Sequence, residues 1–141
     1  MPGGAHMMQR SVLISPSILA ADFTRLGDEI RKVEAAGADM IHVDVMDGHF
    51  VPNLTMGPFI VEAVRRATSL PIDAHLMITD PGRYAQAFAD AGADYIVFHA
   101  EACKDPSDVI ELVRSKGAGP GLAVNPPNSA DALKPYLGEI D

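Results

Sequence analysis

The sequence has one cysteine, no long apolar run and no excess of basic residues, and each of these absences excludes a class of protein. Cys103 has no second cysteine to pair with, which excludes a disulfide-stapled domain and fits a reducing compartment. No apolar run approaches the roughly 20 residues that span a bilayer, and the N-terminus lacks the basic start and apolar core of a secretion signal. We therefore expect a cytoplasmic protein that makes no membrane contact.

The charge balance excludes a further class. The chain of 141 residues carries 11 basic and 19 acidic residues, which gives a net charge of -8. Because nucleic-acid-binding proteins normally meet the phosphates with a basic surface, we expect no nucleic-acid partner. A small anionic substrate stays compatible with this charge, since one local site can be positive on an acidic surface.

The chain divides into a short leader and one domain. Residues 1–10, which begin MPGGAHMM, are typical of a flexible leader or of the remnant of an expression tag. From residue 11 to residue 141, short apolar runs of β type alternate with stretches of helical period, and no long linker interrupts them. This alternation predicts parallel strands joined by crossover helices within a single domain.

The alternation predicts five strands and up to five helices. The strands are residues 12–19, 40–46, 72–78, 95–99 and 121–125. The first helix is capped by Asp22 and ends near Gly37, and three more begin at Pro58, Pro81 and Pro106. Residues 128–137 form a fifth candidate helix. The side chains expected to be buried by the third helix are Tyr84, Ala85 and Phe88.

An internal repeat supports this organisation. The tetrapeptide at residues 36–39, Ala-Gly-Ala-Asp, returns at residues 91–94, and each copy ends a predicted helix and leads into a strand. Strands therefore start about every 27 residues, which is the spacing of βα units. The periodicity alone fits two α/β folds: a TIM (β/α)8 barrel, here truncated to about five units, and an open five-stranded doubly wound sheet.

Polar side chains inside two predicted strands favour a functional site. Because side chains alternate across a strand, His42 and Asp44 share one face of the second strand, and Asp73 and His75 share one face of the third. Neighbouring strands lie about 4.8 Å apart, so His42, Asp44 and His75 converge on one point. Two imidazoles and a carboxylate suit a divalent transition metal. The competing interpretation is that each histidine is an ordinary hydrogen-bonded core residue.

Other residues in these strands have less specific signals. Met46 and Met77 follow on the same faces and are by default core residues. Ser15 and Ser17 are the inward-facing residues of the first predicted strand. A hydroxyl group there is equally compatible with lining a pocket and with making a structural hydrogen bond. The segment D-G-H-F-V-P-N at residues 47–53 follows the second strand, at the end where barrel enzymes place their chemistry. His99 and Glu101 end the fourth strand at the same rim and are candidate pocket residues.

Two longer motifs resemble a known family. S-P-S-I-L-A-A-D-F at residues 15–23 and I-H-V-D-V-M-D-G-H-F-V-P-N at residues 41–53 resemble ribulose-phosphate 3-epimerase. The resemblance continues through D-A-H-L-M at residues 73–77 and F-H-A-E at residues 98–101, and it covers the chain from residue 15 onward. It implies the N-terminal part of a single (β/α)8 barrel. It also implies an isomerase of the pentose phosphate pathway that interconverts D-ribulose 5-phosphate and D-xylulose 5-phosphate through an enediolate.

The resemblance implies roles for individual residues. The positions of His42, Asp44 and His75 hold one divalent metal ion, which is zinc, iron, manganese or cobalt, and Asp44 is also a catalytic acid/base. The positions that contact the sugar phosphate are Ser17, His75, Met46 and Met77. Asp73 or Asp47 is expected to orient a ligating imidazole, because ligand histidines usually donate their other N–H to an acceptor. The family also implies a homo-oligomer.

The sequence departs from the family pattern in one respect. The family's second acid/base, a late aspartate, and its Gly-rich phosphate loops have no counterpart in these 141 residues, so we expect the chain alone to be inactive, with unpaired strand edges. Two alternatives stay open, an inactive metal-binding half-barrel and an epimerase of a related ketohexose 6-phosphate. Decarboxylases of the same superfamily are excluded, because their Asp-x-Lys-x-x-Asp motif is absent at residues 43–47.

Overall fold

Strands and helices alternate along residues 12–141, the part of the chain that the computed structural model describes. The strands are β1 (Ile41–Met46), β2 (Ile72–Met77), β3 (Tyr95–His99) and β4 (Gly119–Ala123). The α-helices are α1 (Leu26–Ala35), α2 (Pro58–Ala67), α3 (Pro81–Asp90) and α4 (Pro106–Ser115). Short 3-10 helices span Ile18–Ala20, Phe23–Arg25, Ala100–Ala102 and Ala130–Tyr136. The predicted leader, residues 1–10, lies outside the described residues, and the assignment of residues 11–141 to a single domain stays a prediction.

The four strands form one parallel sheet in chain order. Each strand pairs with the next, with Ile41 opposite Ile72 and Tyr95 opposite Gly119 at the strand starts. A doubly wound sheet reverses its strand order at a switch point, whereas a βα barrel adds each strand beside the last. The order β1-β2-β3-β4 therefore confirms the barrel-type α/β fold expected from the sequence.

Burial alternates along β1 and β2 and separates the core from the site. Alternate positions starting at Ile41 and Ile72 are buried, and they pack with helix residues such as Ile30, Val61 and Phe88. Full burial of an aliphatic or aromatic side chain contributes about 1.5–3 kcal/mol, so this face holds the helices on the sheet. The polar positions between them consequently point to the opposite face.

The first predicted strand, residues 12–19, is wrong as a regular strand. The Ile14 carbonyl accepts from the amides of Asp39 and Met40, the Pro16 carbonyl accepts from His42, and a single bridge joins Ser17 to His42. The chain then turns into the 3-10 helix Ile18–Ala20. Pro16 has no N–H to donate, which limits ladder formation. Four strands, and not five, are therefore present in residues 12–141, although the segment still runs beside β1.

Three smaller expectations are also corrected. β4 begins at Gly119, two residues before the predicted start, and the fifth candidate helix is the 3-10 helix Ala130–Tyr136, which contains Pro135. Tyr84 is 43% exposed, because the buried stripe of α3 runs through Pro81, Ala85 and Phe88 and leaves Tyr84 at its margin. The cap predicted at Asp22 forms on the 3-10 turn before α1, where its carboxylate accepts from the Thr24 amide.

The two copies of the repeat have the same structural role. Asp39 Oδ2 accepts a hydrogen bond of 2.7 Å from the Ile14 amide, and Asp94 Oδ2 accepts one of 2.8 Å from the Ile72 amide. The preceding glycines, Gly37 and Gly92, have φ values of 100° and 109°, which end the helices and are rarely adopted by other residues. Each repeat therefore ends a helix and fastens the start of one extended segment to its neighbour.

Candidate metal centre

His42, Asp44 and His75 meet on the polar face of the sheet. Asp44 Oδ1 lies 3.1 Å from His42 Nε2 and 3.6 Å from His75 Nδ1. One donor atom from each residue lies within 4.8 Å of the others, and all three side chains are partly buried. Asp44 and His75 are directly opposite in the register of β1 and β2, so the pairing of the strands itself brings them together.

This donor set fits a divalent transition metal. An ion with bonds of about 2.0–2.2 Å holds its ligands roughly 3–4 Å apart, close to the 3.1 and 3.6 Å that separate Asp44 Oδ1 from the two imidazole nitrogens. Two imidazole nitrogens with one carboxylate oxygen are a donor combination that zinc, iron, manganese and cobalt accept. His42, Asp44 and His75 are therefore the residues that could hold such an ion.

Asp73 orients the imidazole of His42. Its Oδ2 lies 2.7 Å from His42 Nδ1, so His42 presents Nε2 to Asp44. The Asp73 carboxylate raises the pKa of His42 above its ordinary value, against the opposing effect of burial. Asp73 Oδ1 is buried without a hydrogen-bond partner among the described residues. Of the two carboxylates expected to orient an imidazole, Asp73 makes the contact.

Asp47 instead holds two loops together. Its Oδ1 accepts from the amides of His49 and Phe50 at 2.9 Å, and its Oδ2 accepts from the amide and hydroxyl of Thr79 at 2.8 and 2.9 Å. Partial burial opposes ionisation, but the donors of Thr79, His49 and Phe50 outweigh it and hold the pKa of Asp47 well below its usual range. The loop at residues 47–53 is thus hydrogen-bonded to the loop after β2.

Ser17 and Thr55 fix Asp44 from two sides. The Ser17 hydroxyl donates to Asp44 Oδ2 at 2.5 Å, which leaves Oδ1 directed at the imidazoles. The Thr55 hydroxyl donates to the Asp44 carbonyl at 2.7 Å and accepts from the Met46 amide at 3.0 Å. It thus satisfies two backbone groups of β1 that would otherwise pair with a strand. Sequence reasoning missed Thr55, because no local pattern shows that residues 47–55 fold back onto β1.

His99 contacts His75 from the next strand. The two Nε2 atoms lie 2.8 Å apart, and the rings are nearly parallel with centroids 5.0 Å apart, so they meet edge to edge. Burial lowers the pKa of His75, with a further lowering from the neighbouring imidazoles of His99 and His42. Burial likewise lowers the pKa of His99, partly offset by Glu101. Neutral His75 keeps the lone pair that a metal ligand requires.

The remaining residues predicted for the site lie at its margin. Met46 and Met77 are opposite each other at the ends of β1 and β2, on the same face as the imidazoles and partly exposed. Ser17 reaches the site through Asp44, whereas the hydroxyl of Ser15 is buried without a partner among the described residues.

The sequence model of the ribulose-phosphate 3 epimerase family matches residues 13–141, which is nearly the whole chain. The chain belongs to this family. The match includes every residue of the candidate metal centre.

Curated relatives agree with the assignment. A ribulose-phosphate 3-epimerase from Bacillus subtilis is 52% identical over 130 residues, which cover 92% of this chain and 60% of that protein. One from Synechocystis is 47% identical over 136 residues, which cover 95% and 59%, and one from Mycobacterium tuberculosis is 53% identical over 125 residues, which cover 89% and 52%. The chain thus spans 60% or less of the length of these relatives.

Solved structures support the fold. The Yersinia pestis DHPS has a TM-score of 0.63 at 12% identity, over 90% of this chain and 51% of that one. A mandelate oxidase has a TM-score of 0.54 at 20% identity, over 75% and 40%. At these identities the likeness concerns the fold alone. None of the helices described in residues 12–141 has the length and hydropathy to span a bilayer.

Proposed function

We propose that this chain supplies the metal-binding half of an enzyme that epimerises D-ribulose 5-phosphate and D-xylulose 5-phosphate at C3. The observation that carries the proposal is the shared use of Asp44. One of its oxygens faces two imidazoles and the other is held by Ser17. A histidine with a purely structural role in the core needs only one hydrogen-bond partner. Here, two imidazole nitrogens and one carboxylate oxygen, all possible metal ligands, face the same point.

The reaction requires a proton to leave C3 on one face of the sugar and a proton to return on the other. Asp44 is the acid/base for one of these transfers, because its carboxylate is held in place on the polar face of the sheet and faces the imidazoles of His42 and His75. The second acid/base belongs to the family pattern and has no counterpart among the residues matched to it here. We therefore propose that the activity resides in the whole protein and that residues 12–141 supply one of its two proton-transfer groups.

His42, Asp44 and His75 would hold a divalent ion, which would supply positive charge to offset the negative charge that develops on the substrate oxygens. The chain's own residues prepare this site. Asp73 holds His42 in the orientation that presents Nε2, and Ser17 holds Asp44 Oδ2. Met46 and Met77 provide apolar walls beside these groups, which limit water near the reacting carbon. Ser17 and His75 are also proposed to contact the sugar phosphate.

Three further expectations accompany this proposal. We propose a cytoplasmic location, a homo-oligomeric assembly and a sugar phosphate as the small-molecule partner. The location rests on the single cysteine, and the assembly rests on the resemblance to the family. The identity of the ion stays open, because this donor set accepts several first-row metals.

The test is a coupled assay on the purified whole protein that contains this chain, with its intact mass verified and with zinc or manganese supplied. We expect conversion of D-ribulose 5-phosphate to D-xylulose 5-phosphate, and a fall in kcat of about 10²–10⁴-fold on Asp44→Asn, as for loss of an acid/base. Asp90→Asn is the matched control, because that carboxylate is exposed at the end of α3. It should leave turnover unchanged.

The alternatives give different results in the same assay. Faster turnover of a ketohexose 6-phosphate such as allulose 6-phosphate would assign the protein to that substrate. A protein with the 15.0 kDa mass of this chain that binds metal without turnover would be the inactive half-barrel. Equal kcat for wild type and Asp44→Asn would refute the role of Asp44.

A further inference from the structure

His99 is buried against a predicted metal ligand and has no role in the proposed reaction. It ends β3 with 4% of its surface exposed, and its Nε2 lies 2.8 Å from His75 Nε2. The imidazole planes are within 14° of parallel. Two ring nitrogens at this distance share one hydrogen, so one ring donates and the other accepts.

The direction of this hydrogen bond decides which nitrogen of His75 is free. If His75 Nε2 carries the hydrogen and His99 accepts it, the Nδ1 of His75 has a lone pair facing Asp44 Oδ1, 3.6 Å away. If His99 donates instead, His75 carries its hydrogen on Nδ1 and has no lone pair to offer on the Asp44 side. Only the first arrangement makes His75 a ligand beside Asp44 and His42.

The surroundings of His99 favour the first arrangement. When its Nε2 accepts, its Nδ1 carries a hydrogen; this buried atom has no hydrogen-bond partner among the described residues, and the carboxylate oxygen Glu101 Oε2 lies 3.6 Å away. The opposite tautomer would place a lone pair on Nδ1 against that carboxylate. His75 Nδ1 faces Asp44 Oδ1 at the same distance, but Asp44 already accepts from Ser17 and faces His42 Nε2 at 3.1 Å, whereas both side-chain contacts of Glu101 with its asparagine neighbours go to its other oxygen, Oε1. Glu101 is itself fixed, since its Oε1 accepts at 2.6 Å from the Asn125 amide and from the Asn128 side chain. Phe50 packs on the other side of His99, with ring centroids 5.1 Å apart.

We propose that His99 is a positioning residue that sets the tautomer of His75, with Glu101 setting the tautomer of His99 in turn. The chain Glu101–His99–His75 then runs from the rim of the sheet to the metal centre. It parallels the contact of Asp73 with His42, so each imidazole of the centre has its second nitrogen engaged. The inference rests on the proposed function for its metal ligands, but the tautomer of His75 is a property of the metal-free protein.

Two measurements on the full chain test it. Long-range ¹H–¹⁵N NMR at one fixed pH, where the imidazoles are neutral, reports which nitrogen of His75 carries hydrogen. Titration with Co²⁺, followed by its visible absorption, reports affinity. His99→Phe keeps an aromatic ring beside Phe50 and removes the acceptor, and His99→Gln restores one. Phe98→Leu is the matched control, because it trims a fully buried side chain of the neighbouring position on the other face of β3.

We expect wild-type His75 to carry hydrogen on Nε2, and His99→Phe to move it toward Nδ1 and to weaken Co²⁺ binding about 10–100-fold. His99→Gln should recover most of that loss, and Phe98→Leu should bind as wild type. If His99→Phe does not fold, Glu101→Gln carries the test, with a smaller shift of the same sign. Wild-type tautomer and affinity in the variants would overturn the inference. Absence of Co²⁺ binding in wild type would count against the proposed function alone, and the NMR result would still decide the role of His99.

Discussion

Replacement of Asp47 by asparagine tests how the two loops beside the metal centre are held. The carboxylate accepts four hydrogen bonds, two from the amides of His49 and Phe50 and two from Thr79. The asparagine side chain would keep one carbonyl oxygen for the first pair, but its amide group would present N–H groups to the Thr79 amide, whereas the Thr79 hydroxyl can turn to accept. The variant therefore loses one hydrogen bond outright and replaces a charged acceptor by a neutral one in the others.

The expected magnitude follows from the lost bond of the Thr79 amide and the weakening of the other three. Hydrogen bonds to charged groups contribute about 1.5–3 kcal/mol each, and the partial exposure of the site favours the low end. We expect Asp47→Asn to lower the free energy of unfolding by about 2–3 kcal/mol at pH 7, with a fall in Tm of roughly 5–10 °C. Asp90→Asn removes an exposed carboxylate and should change stability by less than about 0.5 kcal/mol.

The pH dependence gives the sharper test. The pKa of Asp47 is depressed in the folded protein, so its contribution is fully present above the unfolded value of about 3.9 and is lost as the pH falls below it. Urea unfolding at several pH values should show the difference between wild type and Asp47→Asn shrinking by roughly 1 kcal/mol between pH 5 and pH 3. Equal stability at pH 7, or a difference that does not change with pH, would refute the reasoning.

Three further predictions concern the centre and the core. Asp73→Asn should weaken Co²⁺ binding about 10-fold with an unchanged circular dichroism spectrum, because His42 loses its charged partner, and unchanged affinity would remove Asp73 from the site. Gly92→Ala should lower the free energy of unfolding in urea by about 1–3 kcal/mol, because the new Cβ would lie 2.8 Å from the Arg65 side chain. Gly37→Ala has open space at a similar φ and should lower it by only about 1 kcal/mol. Equal losses in the two variants would contradict crowding at Gly92. Phe88→Ala should lower the free energy of unfolding by about 3–5 kcal/mol, because Phe88 is buried, as measured by thermal unfolding. Tyr84→Ala should lower it by under about 1 kcal/mol, because Tyr84 is exposed, and a larger loss for Tyr84→Ala would contradict this prediction.

The ligand face of the sheet could be predicted from the sequence because alternation in a strand is strict. Polar residues at alternate positions in otherwise apolar runs must share a face, and adjacent parallel strands bring those faces together. His42, Asp44 and His75 follow from this rule without coordinates. The starts of α2, α3 and α4 were equally accessible, since a proline at the first helical position is a local signal.

The remaining features depend on contacts between distant residues. Thr79 binds Asp47 from 32 positions away, and His99 meets His75 from 24 positions away. No local pattern reports such pairs, because they arise from strand register and loop packing. The loss of regular pairing at residues 12–19 has a local signal in Pro16, which has no N–H to donate, although the apolar β-type pattern of the segment predicts a strand. The exposure of Tyr84 shows the same limit, since the margin of a buried stripe is set by tertiary packing.

The repeated aspartates have a consequence for the candidate metal centre. Asp39 and Asp94 each tie a strand start to the backbone amide of the neighbouring segment, without contacting an imidazole themselves. A slip of one residue in either pairing would turn His42 or His75 toward the helices and put an aliphatic side chain in its place. The geometry of the candidate metal centre therefore depends on the hydrogen bonds at the strand starts, and we predict that a mutation of either aspartate weakens metal binding in a protein that still folds.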